Sequence, residues 1–158
     1  YVSVVREPAE RLHSYYRYVT TFTAHRLYPQ TKGLGLYEFF SLMDEIGNRE
    51  CRNLQFAMVT GGGRSLREGI QLVERNYLAV VPIHGVTELL GKMERELEWP
   101  PGRVQLNRRN RSPERSDDEE MAFLREYARK NCPLDYGLYE HVLARFEEEF
   151  GKPAAGEA

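Results

Sequence analysis

The 158-residue chain is 41% hydrophobic with a formal net charge of -2, enough apolar material for one domain, or a large piece of one, that buries roughly two thirds of its unfolded surface. That balance argues against a general polyanion binder, since such proteins usually carry a basic surplus, so any anion site must be local. Cys51 and Cys132 make no disulfide framework, the scattered His13, His25, His84 and His141 have no metal-ligand spacing, and no apolar run approaches a membrane span.

Arginine outnumbers lysine 18 to 4, which suits bidentate anion recognition but equally follows from a GC-rich genome. The first residue is Tyr rather than Met and sits directly on a strand, so the chain reads as cut from something longer, and the missing targeting signal is uninformative. YVSVV has the β-branched density of a buried strand. After Arg6 and Glu7, Pro8 fits the first turn of a helix, where its missing N–H costs nothing. Leu12, Tyr15, Tyr16, Val19 and Phe22 recur at helical spacing and form the packing stripe, with Arg11 and Ser14 to its side. Residues 37–46, 49–59 and 66–76 predict three shorter helices, separated by Gly47-Asn48 and by Gly61-Gly62-Gly63. The glycine run, with Arg64-Ser65, lacks the lysine and preceding buried strand of a phosphate-binding loop and reads as plain loop. YLAVVPIHGV predicts a second strand closing on a turn, with Thr87 beside the N-cap of a helix over 88–99. Residues 99–120 carry three prolines, a glycine and a charge block, and predict a long loop. Helices follow over 121–131 and 135–150, joined at Cys132-Pro133, and 151–158 is a flexible tail. There is no internal repeat.

The loop between the C-terminal end of a strand and a helix is where α/β folds place anionic ligands, because the helix offers free N–H groups and the positive end of its dipole. Arg6 at that tip adds a planar two-donor fork, and Ser14 a hydroxyl. Together they suit one phosphate group. The plainer alternative pairs Arg6 with a carboxylate such as Glu10 and leaves Ser14 exposed.

VREPAERLHSYYRY resembles the 3′-phosphate-binding segment of the sulfotransferases that use PAPS (3′-phosphoadenosine 5′-phosphosulfate), in which an arginine ends a strand and a serine follows eight positions later, as Arg6 and Ser14 do. The fuller pattern of Arg6, Pro8, Arg11, Ser14 and Tyr16 is similar to the Golgi carbohydrate sulfotransferases, especially the uronyl and heparan sulfate 2-O-sulfotransferase branch. Asn53-Leu54-Gln55 resembles that family's Asn-x-Gln helix, and HGVTELLGKMERELEWP its Val-Gly-Val-Thr-Glu segment with the helix that follows. LNRRNRS resembles its polar loop, and LDYGLYEHVLARF its Asp-x-x-Leu-Tyr helix, so the resemblance covers nearly all of residues 1–150.

The resemblance implies a single α/β domain of the P-loop parallel-sheet type, of which residues 1–150 would be the mostly helical C-terminal part with about two strands. It implies transfer of a sulfuryl group from PAPS to a hydroxyl, on a carbohydrate acceptor, without a metal, with no nucleic acid as partner and no membrane contact from this chain. Arg6 and Ser14 would ligate the 3′-phosphate. Arg11 would join them, or else turn to Glu7 or the interior. Asn107, Arg108 and Arg111 would belong to a lid over the adenosine and 3′-phosphate, the alternative being a solvated basic loop balanced by Asp117, Asp118, Glu119 and Glu120. Asp135, Leu138 and Tyr139 read as packing residues. The loop for the 5′-phosphosulfate and the catalytic base are expected upstream of Tyr1; His13 is read as a solvent or interhelix histidine, no catalytic residue is assigned, and the chain alone is expected to be inactive. Where the family continues Asn-x-Gln with an arginine, Phe56-Ala57-Met58 follow here, which removes support for an acceptor-binding role of that helix. The location stays open between the Golgi lumen, with a membrane-anchored parent, and the cytoplasm. Two classes compete: a nucleic-acid binder using RRNRSPER, against which the acidic block straight after it and the net negative charge weigh, and a non-enzymatic helical interaction module or catalytically inactive sulfotransferase relative.

Overall fold

The computed structural model describes residues 1–100, 102 and 117–151. The described residues are mostly helical, with one two-stranded parallel sheet. Strand β1 (Val2–Val5) pairs with β2 (Ala79–Pro82) in the register Val2 to Ala79 through Val5 to Pro82. Parallel neighbours need a crossover. Here it consists of α1 (Pro8–Thr21), the short α2 (Tyr28–Thr31), α3 (Leu36–Glu45), α4 (Leu54–Thr60) and α5 (Leu66–Asn76). After β2 come a 3-10 turn (Ile83–Gly85), α6 (Val86–Glu96), α7 (Asp118–Asn131) and α8 (Pro133–Phe150).

The helix ends follow local chemistry. Pro8 opens α1, and the Glu7 carboxylate accepts a hydrogen bond from the Glu10 N–H at 2.8 Å. Ser65 and Glu68 form a reciprocal cap on α5, which uses the Ser65 hydroxyl structurally. Gly61, Gly62 and Gly63 all take positive φ between α4 and α5, a path that glycine follows without steric strain. Leu12, Phe39, Phe40, Met43 and Leu124 form a core where α1, α3 and α7 meet. A second core under the sheet joins Val5, Phe56, Val73, Leu138 and Val142, and a smaller one holds Val81, Leu89 and Phe146.

Several sequence expectations need correction. Strand β1 is not buried throughout: Val5 is 1% exposed, but Val2 and Val4 are 40% and 38% exposed, because the core covers one face and the pleat turns alternate residues away from it. Phe22 leaves the packing stripe. Helix α1 ends at Thr21, the chain turns extended, and Phe22 is exposed and stacks on Tyr18 at 5.1 Å. The helix expected over 49–59 is two pieces, a 3-10 turn (Arg49–Cys51) and α4, broken at Asn53 with φ 44°. Helix α2 has no counterpart among the predicted elements. The acidic block 117–120 is not loop but the start of α7, with Asp117 capping the Glu119 N–H at 3.2 Å and acidic side chains matching the positive end of the helix dipole. Thr87 lies inside α6, which begins at Val86. Residues 152–158 of the expected tail lie outside the described residues.

Candidate functional site

Arg6 sits where β1 ends, and its backbone is fixed before its side chain is considered. The Arg6 N–H donates to Gln55 Oε1 at 2.8 Å, and Gln55 Nε2 donates to the Arg6 carbonyl at 2.8 Å. A side-chain amide thus pairs with both polar groups of one residue, as a neighbouring strand would. The next residue is tied down as well: Glu7 Oε1 accepts from the Tyr136 hydroxyl at 2.6 Å while Oε2 caps α1. From this anchored turn the guanidinium reaches along α1, and Nη1 donates to Ser14 Oγ at 2.6 Å. Among the described residues, Ser14 is the one side chain hydrogen-bonded to that guanidinium. A serine that accepts at its oxygen keeps its own proton to donate, so the pair presents guanidinium N–H groups and one O–H together.

The surface alternative for this arginine is not what forms, since no Arg6–Glu10 ion pair exists among the described residues. The Glu10 carboxyl is pushed up chiefly by burial and secondly by Glu7, with Arg6, His84 and Arg125 pulling it down less. One expectation about the anion site changes. The Glu7 carboxylate already takes the Glu10 N–H in the first turn of α1, and Pro8 has none to offer, so fewer free helix N–H groups face an anion here than a bare helix start would give.

Arg11 is held elsewhere, on the interior alternative. Its Nη1 donates to the Glu50 carbonyl at 2.8 Å and its Nη2 lies 3.5 Å from Asp135 Oδ2, with both side chains largely buried. Arg11 Nε and Nη2 and Asp135 Oδ2 make no hydrogen bond. Burial raises the Asp135 carboxyl, opposed by the Phe56 N–H and by Arg11. Asp135 Oδ1 accepts from the Phe56 N–H at 2.8 Å, and Asn53 Oδ1 accepts from the Leu134 and Asp135 N–H groups at 2.8 and 3.3 Å. Helices α4 and α8 therefore cap each other's first turns with exchanged side chains. Asp135 and Leu138 are buried and Tyr139 packs against the core under the sheet.

The functional roles that the sequence did not disclose are those of Gln55, as the clasp on Arg6, and of Asn53, as a cap at a distance. Cap-type residues beside a helix start were the available signal. His13 lies between α1 and α7, next to Tyr16, its pKa lowered by burial and opposed by Glu120, in keeping with an interhelix histidine. Asn107, Arg108 and Arg111 lie outside the described residues. The buried Cys132 thiol donates to the Cys51 carbonyl at 3.2 Å, and burial pushes the Cys51 thiol up to about 12, which leaves it unreactive. Among the described residues no group of three or more His, Cys, Asp or Glu is placed to hold a metal ion, and no helix is long and apolar enough to cross a membrane. A cleft of about 310 Å³ between β2, α5, α6 and α8, lined by Tyr77, Lys92, His141 and Phe146 among others, includes neither Arg6 nor Ser14.

These elements define an α/β arrangement, mostly helical, with an arginine–serine pair at the C-terminal end of a parallel strand. No protein-family model, curated protein or solved structure matches the chain.

Proposed function

We propose that the chain is part of a PAPS-dependent sulfotransferase of the P-loop parallel-sheet type and that Arg6 and Ser14 hold the 3′-phosphate of the nucleotide. The carrying observation is the 2.6 Å contact between Arg6 Nη1 and Ser14 Oγ on a backbone fixed independently by Gln55. A phosphate monoester needs a concentrated set of charged and neutral donors, and this pair supplies both over one helix face. The 3′-phosphate separates PAPS from ATP-like nucleotides, so a dedicated donor pair for it is a specificity device as well as an anchor.

In the proposed reaction the acceptor hydroxyl oxygen, on a carbohydrate, bonds to sulfur while the bond from sulfur to the bridging phosphate oxygen breaks in line, and the hydroxyl proton passes to a base. The part of Arg6 and Ser14 is to fix the nucleotide's position, which removes orientational freedom before the transfer, and to stay bound to the bisphosphate product. Calorimetry of the full-length parent protein should show adenosine 3′,5′-bisphosphate binding ~10- to 150-fold better than 5′-AMP, from a charge-assisted contact worth on the order of 1.5–3 kcal/mol. Equal affinities would refute the assignment.

A further inference from the structure

The Arg6 turn is held by an unusual device for a strand end: a side-chain amide from another helix satisfies both its backbone groups, at 2.8 Å each. Gln55 is itself placed by long-range ties. It occupies the first turn of α4, where Asn53 before it reaches to α8 and the Phe56 N–H after it is taken by Asp135 of α8. Gln55 touches no part of the guanidinium in the hydrogen bonds of the structure, so it acts on the Arg6 side chain only through the backbone.

We propose that Gln55 is a positioning residue that sets the discrimination between 3′-phosphorylated and unphosphorylated nucleotides. This rests on the reading of Arg6 and Ser14 as a 3′-phosphate site. Discrimination by a two-donor fork depends on angle as well as charge. If the Arg6 N–H and carbonyl lose their partner, the strand end can rotate, the Nη1–Ser14 contact loosens, and the two donors no longer converge. Only Gln, or a protonated Glu, places a donor and an acceptor side by side at that reach. An ionised Glu accepts from the Arg6 N–H but sets a second lone-pair oxygen against the Arg6 carbonyl.

The test is titration calorimetry of the full-length parent protein with adenosine 3′,5′-bisphosphate and with 5′-AMP, for wild type, Gln55→Leu and Gln55→Glu, beside thermal melts. Wild type should prefer the bisphosphate, and Gln55→Leu should lose roughly tenfold of that preference with little change in 5′-AMP affinity. Gln55→Glu should be impaired near pH 7.5 and recover toward wild type only as pH falls to about 4, the ordinary glutamic acid range, where the carboxylic acid restores the amide's donor and acceptor; a residue needed only for folding would show no such recovery. Arg6, Glu7, Glu10 and Arg11 on its neighbouring strand and helix, His84 after β2, and Asp135 of α8 are common to wild type and variant, so the ratio of the two at each pH isolates position 55. Should Gln55→Leu fail to fold, Gln55→Glu carries the test. A wild-type preference that survives both substitutions at every pH overturns the role of Gln55 and leaves the phosphate site standing. No preference in wild type overturns the site, and this inference with it.

Discussion

Alanine at position 69 sets two effects of known size against each other. Gly69 lies inside α5, where alanine is favoured over glycine by about 1 kcal/mol in helix propensity. Yet a Cβ there would stand 2.4 Å from both Cε2 and Cζ of Phe56 and 3.0 Å from Thr60 Cγ2. The Phe56 ring is 2% exposed and belongs to the core under the sheet, so it cannot swing into solvent, and forcing extra volume into such a core costs roughly 1–3 kcal/mol or more. With two aromatic carbons at 2.4 Å the clash falls in the upper part of that range and outweighs the propensity, so Gly69→Ala should lose up to about 2 kcal/mol. Gly91 in α6 is the internal control, because there the nearest atom is Arg95 Nη1 at 3.5 Å, the movable end of a long side chain. Gly91→Ala should gain up to about 1 kcal/mol. Urea unfolding followed by circular dichroism reads both as midpoint shifts at constant slope. Shifts of the same sign would refute the packing of α5 onto α4. Because Phe56 follows Gln55, Gly69→Ala should also weaken the preference for the bisphosphate over 5′-AMP.

Arg6→Lys should fall to the bisphosphate affinity of Arg6→Ala in calorimetry, since one ammonium does not reproduce the guanidinium fork; wild-type affinity would make Arg6 a structural residue. Asn53→Gly keeps the left-handed backbone but removes the cap on α8, and Asn53→Ala adds about 1–2 kcal/mol of strain to the same loss, so thermal melts should rank wild type above glycine above alanine. Glycine matching wild type would show that the cap contributes nothing. His13 has its pKa lowered from 6.5 by burial, so the unfolded chain takes up the proton first as pH falls below that value, and stability contributed by the neutral ring is lost from there down to the folded pKa. Between about pH 7.5 and pH 5, wild type should lose more stability than His13→Gln; parallel losses would contradict this.

The elements legible in the sequence are those whose signals are local. Pro8 and Pro133 mark helix starts, the spacing of Leu12 and Val19 marks a buried face, and the β-branched runs mark both strands. The break at Asn53 was not legible because it is stabilised from 81 positions away, through the Leu134 N–H. A non-glycine residue at positive φ needs such support. The acidic block before α7 misled for a different reason: by polarity it resembles loop, whereas its charges favour a helix start. Within the site, the separation of Arg6 and Ser14 fits helical reach, while Asn53-Leu54-Gln55 stood out only as a motif, because the Gln55 clasp joins residues 49 positions apart and nothing local names Arg6 as its partner.

Arg6, at the end of β1, and Arg11, in the first turns of α1, lie five residues apart and meet opposite fates, and the contrast bears on function. Arg11 is drawn inward, against Asp135 and the Glu50 carbonyl. A buried guanidinium is tolerated only beside such an opposite charge. Arg6 has two acids at hand, yet neither forms an ion pair with it among the described residues. Glu7 spends one oxygen on Tyr136 and the other on the Glu10 N–H, and the Glu10 carboxyl, raised by desolvation, feels the Arg6 charge without direct contact. Gln55, which holds the turn, is uncharged. The turn is thus held by hydrogen bonds from Gln55 and Glu7 rather than by an ion pair to Arg6, and among the described residues the Arg6 guanidinium is hydrogen-bonded to a serine hydroxyl. An arginine whose backbone is fixed twice over and whose guanidinium makes no direct ion pair among the described residues is what the proposed 3′-phosphate site requires, and on that proposal the eight-residue step to Ser14 sets where the anion sits.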